Sequence, residues 1–236
     1  MAGRYFPTDL VAFVAKTGFI TKETWAEFFF TGGSVRWKNR LWESLRDRRY
    51  FAPYRNLRVR DIYLLNRMNR EVSDFLQGRA VRAPFVSQIE HDEVLARGLL
   101  RAMKRGLVAA WTTEAELKSF SRDTFRVESQ GQVVKYPDAI LVMNGPSTGR
   151  KMALEVELTQ KTKQRYVQIL GAYAAMRGID GVLFVTDSMA IRRVIDDTAK
   201  QVYFPFETVS LGFTGVKDWQ SASWSEGALK FSSYSN

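Results

Sequence analysis

Apolar residues recur at helical spacing in three short segments at the start of the chain. Leu10, Phe13 and Val14 follow Pro7-Thr8-Asp9 and stop at Gly18, which predicts a first helix. Thr21-Lys22-Glu23 opens a second, with Trp25, Phe28 and Phe29 turned inward, and Gly32-Gly33-Ser34 breaks it. Ser34 then caps a predicted third helix over residues 35–51, where Val35, Leu41, Trp42 and Leu45 can form an apolar stripe. Arg36, Lys38, Asn39, Arg40 and Arg46 project elsewhere on that helix. Phe51–Tyr54 and Asp61–Leu65 are short apolar segments predicted to pair as a hairpin, with Arg55, Arg58 and Arg60 at its tip.

The pattern changes downstream. Residues 73–88, SDFLQGRAVRAPFVSQ, mix Gly, Pro and basic residues and read as a connection. A long amphipathic helix follows over 89–106, with Leu95, Leu99 and Met103 in register and Gly106 at its end. AILVM and MALEVEL predict two strands of a second hairpin, joined by the turn cluster Asn144-Gly145-Pro146-Ser147. A helix over 160–178 has Tyr166, Ile169, Leu170 and Tyr173 on its buried side, and Lys161, Lys163 and Arg165 near its start. Then come a hydrophobic strand over 181–186, a helix over 189–201 capped by Asp187-Ser188, and a strand over 202–211. Trp224, Leu229 and Phe231 suggest a final edge strand. The order is that of an α+β protein. Three helices and a hairpin resemble a winged helix-turn-helix over residues 1–75, followed by a linker at 76–88 and an α/β lobe with a mixed sheet at 89–236.

Charge gives this division a meaning. The chain of 236 residues carries 35 Lys and Arg against 25 Asp and Glu, a formal charge of +10. Such a balance points to a polyanionic partner, double-stranded DNA above all. In a winged helix the third helix enters the major groove, which makes Arg36, Lys38, Asn39 and Arg40 candidates for base edges and Arg55, Arg58 and Arg60 candidates for phosphates. Trp25, Phe28, Phe29 and Trp42 are expected in the core. The absence of cysteine removes disulfides and thiolate zinc sites and suits a reducing cytoplasm. No window is apolar enough to span a membrane.

The candidate chemistry lies in the second hairpin. Asp138 opens its first strand; Glu155 and Glu157 lie two apart in the second and so share a face. Two carboxylates on one side of a buried strand repel and lose hydration unless a cation sits with them. Mg²⁺ or Mn²⁺ is suited to that task, since it takes one or two carboxylates and completes its shell with water and phosphate oxygens. The first turn of the 89–106 helix holds Glu90, His91, Asp92 and Glu93, which also complement the helix dipole.

Pro137-Asp138, then 155 − 138 = 17 residues to Glu155-Val156-Glu157, resembles the PD-(D/E)XK nuclease superfamily, with a restriction-endonuclease-like core. The resemblance implies metal binding by Asp138, Glu155 and Glu157, with the Val156 carbonyl as a further ligand. The position commonly held by Lys is Glu157 here, so Lys161 or Lys163 would supply the cation. It also implies a first helix whose Glu joins the metal shell, for which Glu93 is the candidate, and His91 could orient phosphate or act as a base.

Together the two halves resemble the replication-relaxation proteins and MobC-class relaxases of mobilizable plasmids. That likeness rests on DIYLL (61–65), the helix bearing His91, WTTEAEL (111–117), and PDA with LEVEL. It implies site- and strand-specific nicking at a transfer origin, with an accessory mobilization protein and a coupling ATPase as partners. One histidine cannot build the histidine cluster of commoner relaxases, so carboxylates must serve. The sequence leaves open whether water or a tyrosine such as Tyr166 or Tyr173 attacks. It also leaves two rival readings: a non-catalytic DNA-binding regulator of replication or transcription, and a restriction-type or transposase-subunit endonuclease.

Overall fold

Helix starts in the first part of the chain are set by short polar side chains. In the computed structural model, Thr21 accepts a hydrogen bond from the Thr24 amide at 3.0 Å and starts α2 (Lys22–Phe28). Ser34 does the same for Trp37 and starts α3 (Val35–Asp47), and Asn69 for Val72 and starts α4 (Arg70–Leu76). Ahead of them α1 (Thr8–Thr17) ends at Gly18, whose φ of 87° is the left-handed conformation that glycine adopts without strain. Residues 7–30, 33–54, 61–79, 81, 83–120, 127–129, 132–144, 148–206 and 208–224 are described, with backbone alone at 119–120, 127–129 and 132–135.

Two compact units divide the chain, residues 1–92 and 93–236. In the first, β2 (Phe51–Pro53) and β3 (Ile62–Leu65) pair antiparallel as the hydrophobic pattern predicts. A strand the pattern did not announce, β1 (Ile20–Thr21), joins the other edge of β3. The core is a cluster of rings. Trp42 meets Trp25 at 4.9 Å, Phe51 at 5.9 Å and the edge of Tyr63 at 4.8 Å between centroids. Trp25, Phe28 and Trp42 are buried there, as expected.

Several expectations need correction in this unit. The third helix stops at Asp47 rather than 51, because Arg49 turns to a φ of 57° and delivers Tyr50 and Phe51 to the core. Val35 shares the Trp42 face but stands two turns earlier, past the edge of the ring cluster, and is 74% exposed. The supposed connection begins later than residue 73: α4 runs to Leu76, buries Val72 and Leu76, and its Glu71 accepts a hydrogen bond from the Tyr50 hydroxyl at 2.6 Å. The tip arginines Arg55, Arg58 and Arg60 lie outside the described residues.

The division between units falls inside α5 (Ile89–Lys104). In the second unit a mixed sheet of five strands has the order β10-β9-β8-β7-β4. Its antiparallel half is β4 (Val108–Thr113), β7 (Ala139–Met143) and β8 (Lys151–Val156). Between β4 and β7 come α6 (Glu114–Phe120) and the small hairpin of β5 (Val127–Ser129) and β6 (Gln132–Lys135). After β8 the chain crosses through α7 (Lys163–Ala175) to β9 (Gly181–Val185), then through α8 (Met189–Gln201) to β10 (Ser210–Thr214). β8, β9 and β10 are mutually parallel.

Helices α7 and α8 close one face of this sheet. Tyr166, Ile169, Leu170 and Tyr173 of α7 and Ile191, Ile195 and Ala199 of α8 pack on Ile140, Ala153, Val182, Phe184 and Leu211. The alternate set, Leu141, Met152, Leu154 and Leu183, faces the other way and is equally buried. Gly181 is needed where β9 enters between its neighbours, since a Cβ would lie 2.8 Å from the Ser210 carbonyl oxygen. On α5, Leu95 and Leu99 are buried but Met103 is 41% exposed, accepting the Trp111 indole N–H at its sulfur.

The strand expected over 202–211 is displaced. Tyr203 takes a φ of 51°, Phe204 tucks into the core, and the strand begins only at Ser210. The final edge strand expected at Leu229 and Phe231 lies outside the described residues, which end at Trp224; before it α9 (Val216–Ser221) follows β10, and Trp219 and Trp224 stack at 5.4 Å. No described helix is long and apolar enough to cross a membrane.

Candidate active site

The site is made by strand register. Ala139 faces Leu154 across the β7–β8 ladder, so one step outward Asp138 stands opposite Glu155. Backbone bonds fix this meeting. The Asp138 amide donates to the Leu154 carbonyl at 3.1 Å, and Asp138 Oδ2 accepts from the Val156 amide at 2.8 Å. By alternation both carboxylates lie on the α7 face, the side of Ile140 and Ala153. Asp138 is 8% exposed and Glu155 is 0%. Two acids are therefore brought together in a nearly dry place.

Glu157 joins them from just past the end of β8. Its amide donates to the Val185 carbonyl at 2.9 Å, which holds it against the end of β9. The side chain is 1% exposed. Its Oε2 pairs with the Lys161 ammonium, while Oε1 is buried without a hydrogen-bond partner. A carboxylate oxygen so placed is costly unless a ligand or ion satisfies it.

Helix α7 closes the site from above the sheet. The Tyr173 hydroxyl donates to Glu155 Oε1, and the Tyr166 hydroxyl accepts from the Lys161 amide at 3.3 Å. Both tyrosines are buried, at 1% and 0% exposure. Burial, then the charge of Glu155, then its hydrogen bond, push the Tyr173 hydroxyl well above the ordinary tyrosine range. Asp138 and Glu157 add to that shift, which places all three acids within electrostatic reach of one hydroxyl. Tyr173 is thus protonated near neutral pH and acts as a donor. The sequence marked it as buried and as a possible nucleophile; nothing in the sequence marked it as the partner of Glu155.

The remaining expected residues lie on α3, on α5 and at the start of α7. Glu93 is half-buried on α5 and begins the unit that holds the three acids. His91 ends the first unit together with Asp92, to which its Nδ1 is paired at 2.9 Å. Lys163 is exposed in the first turn of α7. On α3, Arg36 and Arg40 are exposed and Asn39 is half-buried. Lys38 is turned back: its ammonium donates to the Ala26 carbonyl at 3.2 Å and lies 5.6 Å from the Phe30 ring centre.

The donor set suits a hard dication. Asp138, Glu155 and Glu157 offer oxygen only, and Glu157 Oε1 is an unsatisfied buried acceptor. Among the described residues no three acidic, His or Cys side chains are grouped so as to hold a metal ion by themselves. Mg²⁺ or Mn²⁺ asks for less, because one or two carboxylates suffice when water and phosphate oxygens fill the shell. No protein-family model, curated protein or solved structure matches this chain.

Proposed function

We propose that this chain is a metal-dependent DNA endonuclease of PD-(D/E)XK type, steered by a winged helix-turn-helix, that nicks one strand at a plasmid transfer origin. The observation that carries the chemical part is the opposition of Asp138 and Glu155 on the α7 face, beside a buried and half-satisfied Glu157. The strand order supports it. The opening helix α5, the antiparallel strands β7 and β8 that carry the acids, the crossover helix α7 and the parallel strand β9 are in keeping with the core that the resemblance implies. In the first unit, three helices, a short strand and a hairpin have the order expected of a winged helix.

Asp138 and Glu155 would hold the ion, with Glu157 and the Val156 carbonyl as further oxygen donors. Bound there, Mg²⁺ or Mn²⁺ would polarise the scissile phosphate and acidify a water. Glu157 Oε1 is the acceptor that would orient the attacking water, being a buried carboxylate oxygen with no donor. Lys161 keeps a third of its side chain in solvent and so can offer its charge to a phosphate while bound to Glu157. Tyr166 and Tyr173 are buried, and each hydroxyl is already engaged within the site, which favours water over either tyrosine as nucleophile.

The direct test is incubation with supercoiled plasmid carrying the cognate origin, with and without Mg²⁺ or Mn²⁺. Metal-dependent open circles are expected, and Asp138→Ala or Glu155→Ala should abolish them while DNA binding persists. Linear product would make the enzyme a restriction-type or transposase-subunit nuclease. A second reading has its own support: Lys161 neutralises Glu157, and Tyr173 engages Glu155, as in a fold kept for DNA binding alone. Binding without any cleavage or metal uptake would favour that regulator.

A further inference from the structure

We infer that Tyr173 is a positioning residue for Glu155: its hydroxyl holds Oε1 and thereby restrains the carboxylate that is presented to a divalent ion. This rests on the nuclease reading of the site. The case begins with helix geometry. Tyr166 and Tyr173 are seven residues apart, two turns along α7, so both fall on the face that meets the sheet. Because β8 and β9 are parallel, α7 must run back along β8 between them. The earlier tyrosine therefore meets the end of the acidic segment, at Lys161, and the later one reaches inward to Glu155.

The terminal torsion of a carboxylate is broad and soft, and much of the enclosing wall here is hydrocarbon: Ala153, Ile169, Ala172 and Phe184 belong to the same cluster as Tyr166 and Tyr173. Tyr173 is the side chain of that wall whose hydroxyl donates to Glu155. Holding Oε1 restrains the orientation of the carboxylate, and it also keeps the acid tolerable in a buried site while no ion is bound. Groups that hydrogen-bond a metal ligand in this way commonly change metal affinity about 10–100-fold when removed.

The measurement is Mn²⁺ binding by electron paramagnetic resonance, made on the whole protein without DNA. Wild type should bind Mn²⁺, and Tyr173→Phe should bind it at least about tenfold more weakly. Its circular dichroism and its affinity for duplex DNA should stay as in wild type. Unchanged Mn²⁺ affinity in a folded Tyr173→Phe protein would overturn the positioning role and leave the nuclease reading standing. No Mn²⁺ uptake by wild type would overturn both. Should Tyr173→Phe fail to fold, the wild-type near-ultraviolet difference spectrum decides. Mn²⁺ should perturb a tyrosine band, and Glu155→Gln should remove that perturbation; a spectrum without tyrosine change would overturn the inference.

Discussion

Glu157 is the residue at which sequence and structure together say most. Its position was legible as one of two acids on one side of a strand; its half-satisfied state was not, because Lys161 and the end of β9 reach it only in the fold. Removing the counterion with Lys161→Ala should destabilise the protein by about 1–3 kcal/mol, measured by urea unfolding, because a buried carboxylate loses the ammonium that pairs with it. On the proposed nuclease reading, Glu157→Lys gives the pattern commoner in the PD-(D/E)XK superfamily and should keep more cleavage than Glu157→Ala. Equal loss in both would make Glu157 an indispensable ligand. Away from the site, Asp196 on α8 shows the opposite strain. Burial raises its carboxyl above the usual range, and Asp197 adds to this against the attraction of Lys200 and Arg192. The folded state thus holds that proton more tightly than the unfolded chain does. Its contribution is fully present below the ordinary Asp value of about 3.9 and is lost as pH rises through the raised one. Asp196→Asn should therefore raise the melting temperature at pH 7 and lose that advantage at about pH 3.

At the scale of elements, strongly periodic segments were readable and close approaches were not. The helix over 189–201 matches α8, and Tyr166, Ile169, Leu170 and Tyr173 are the buried side of α7, because spacing alone fixes which face meets a sheet. The strand over 202–211 was misplaced since Val, Tyr and Phe read as strand formers wherever they fall, whereas tertiary packing turned Tyr203 outward and Phe204 inward. β1 is two residues long and carries no periodicity to detect. Gly98 gave no sign of its role either. It sits within α5 where the indole of Trp219 crosses, and a Cβ would lie 1.9 Å from Nε1, the atom that donates to the Val94 carbonyl at 3.1 Å. Gly98→Ala should cost about 1–3 kcal/mol in thermal or urea unfolding, despite the better helix propensity of alanine. In a Gly98→Ala/Trp219→Ala double variant the two losses should fall well short of additive, since the clash disappears with the ring.

For the whole molecule, charge and chemistry are carried by different parts of the chain. Because the division between units falls inside α5, a fragment should end before Ile89 to leave that helix whole. Residues 1–88 hold 16 Lys and Arg against 8 Asp and Glu, net +8; residues 89–236 hold 19 against 17, net +2. The ring core around Trp42 lies wholly within the first fragment and the carboxylate site wholly within the second. The 1–88 fragment should therefore bind duplex DNA with a steep salt dependence and cut nothing, and the 89–236 fragment should bind Mn²⁺ but bind DNA weakly. Within the first, Arg36 is exposed on α3 whereas Lys38 is tied to Ala26. Arg36→Ala should cost about 1–3 kcal/mol on the specific site and less on random duplex, while Lys38→Ala should change DNA affinity little. Competition binding at several salt concentrations measures all of this. Full specificity in residues 89–236, with no affinity in 1–88, would place recognition in the lobe that holds the acids and remove the unit around Trp42 from that role.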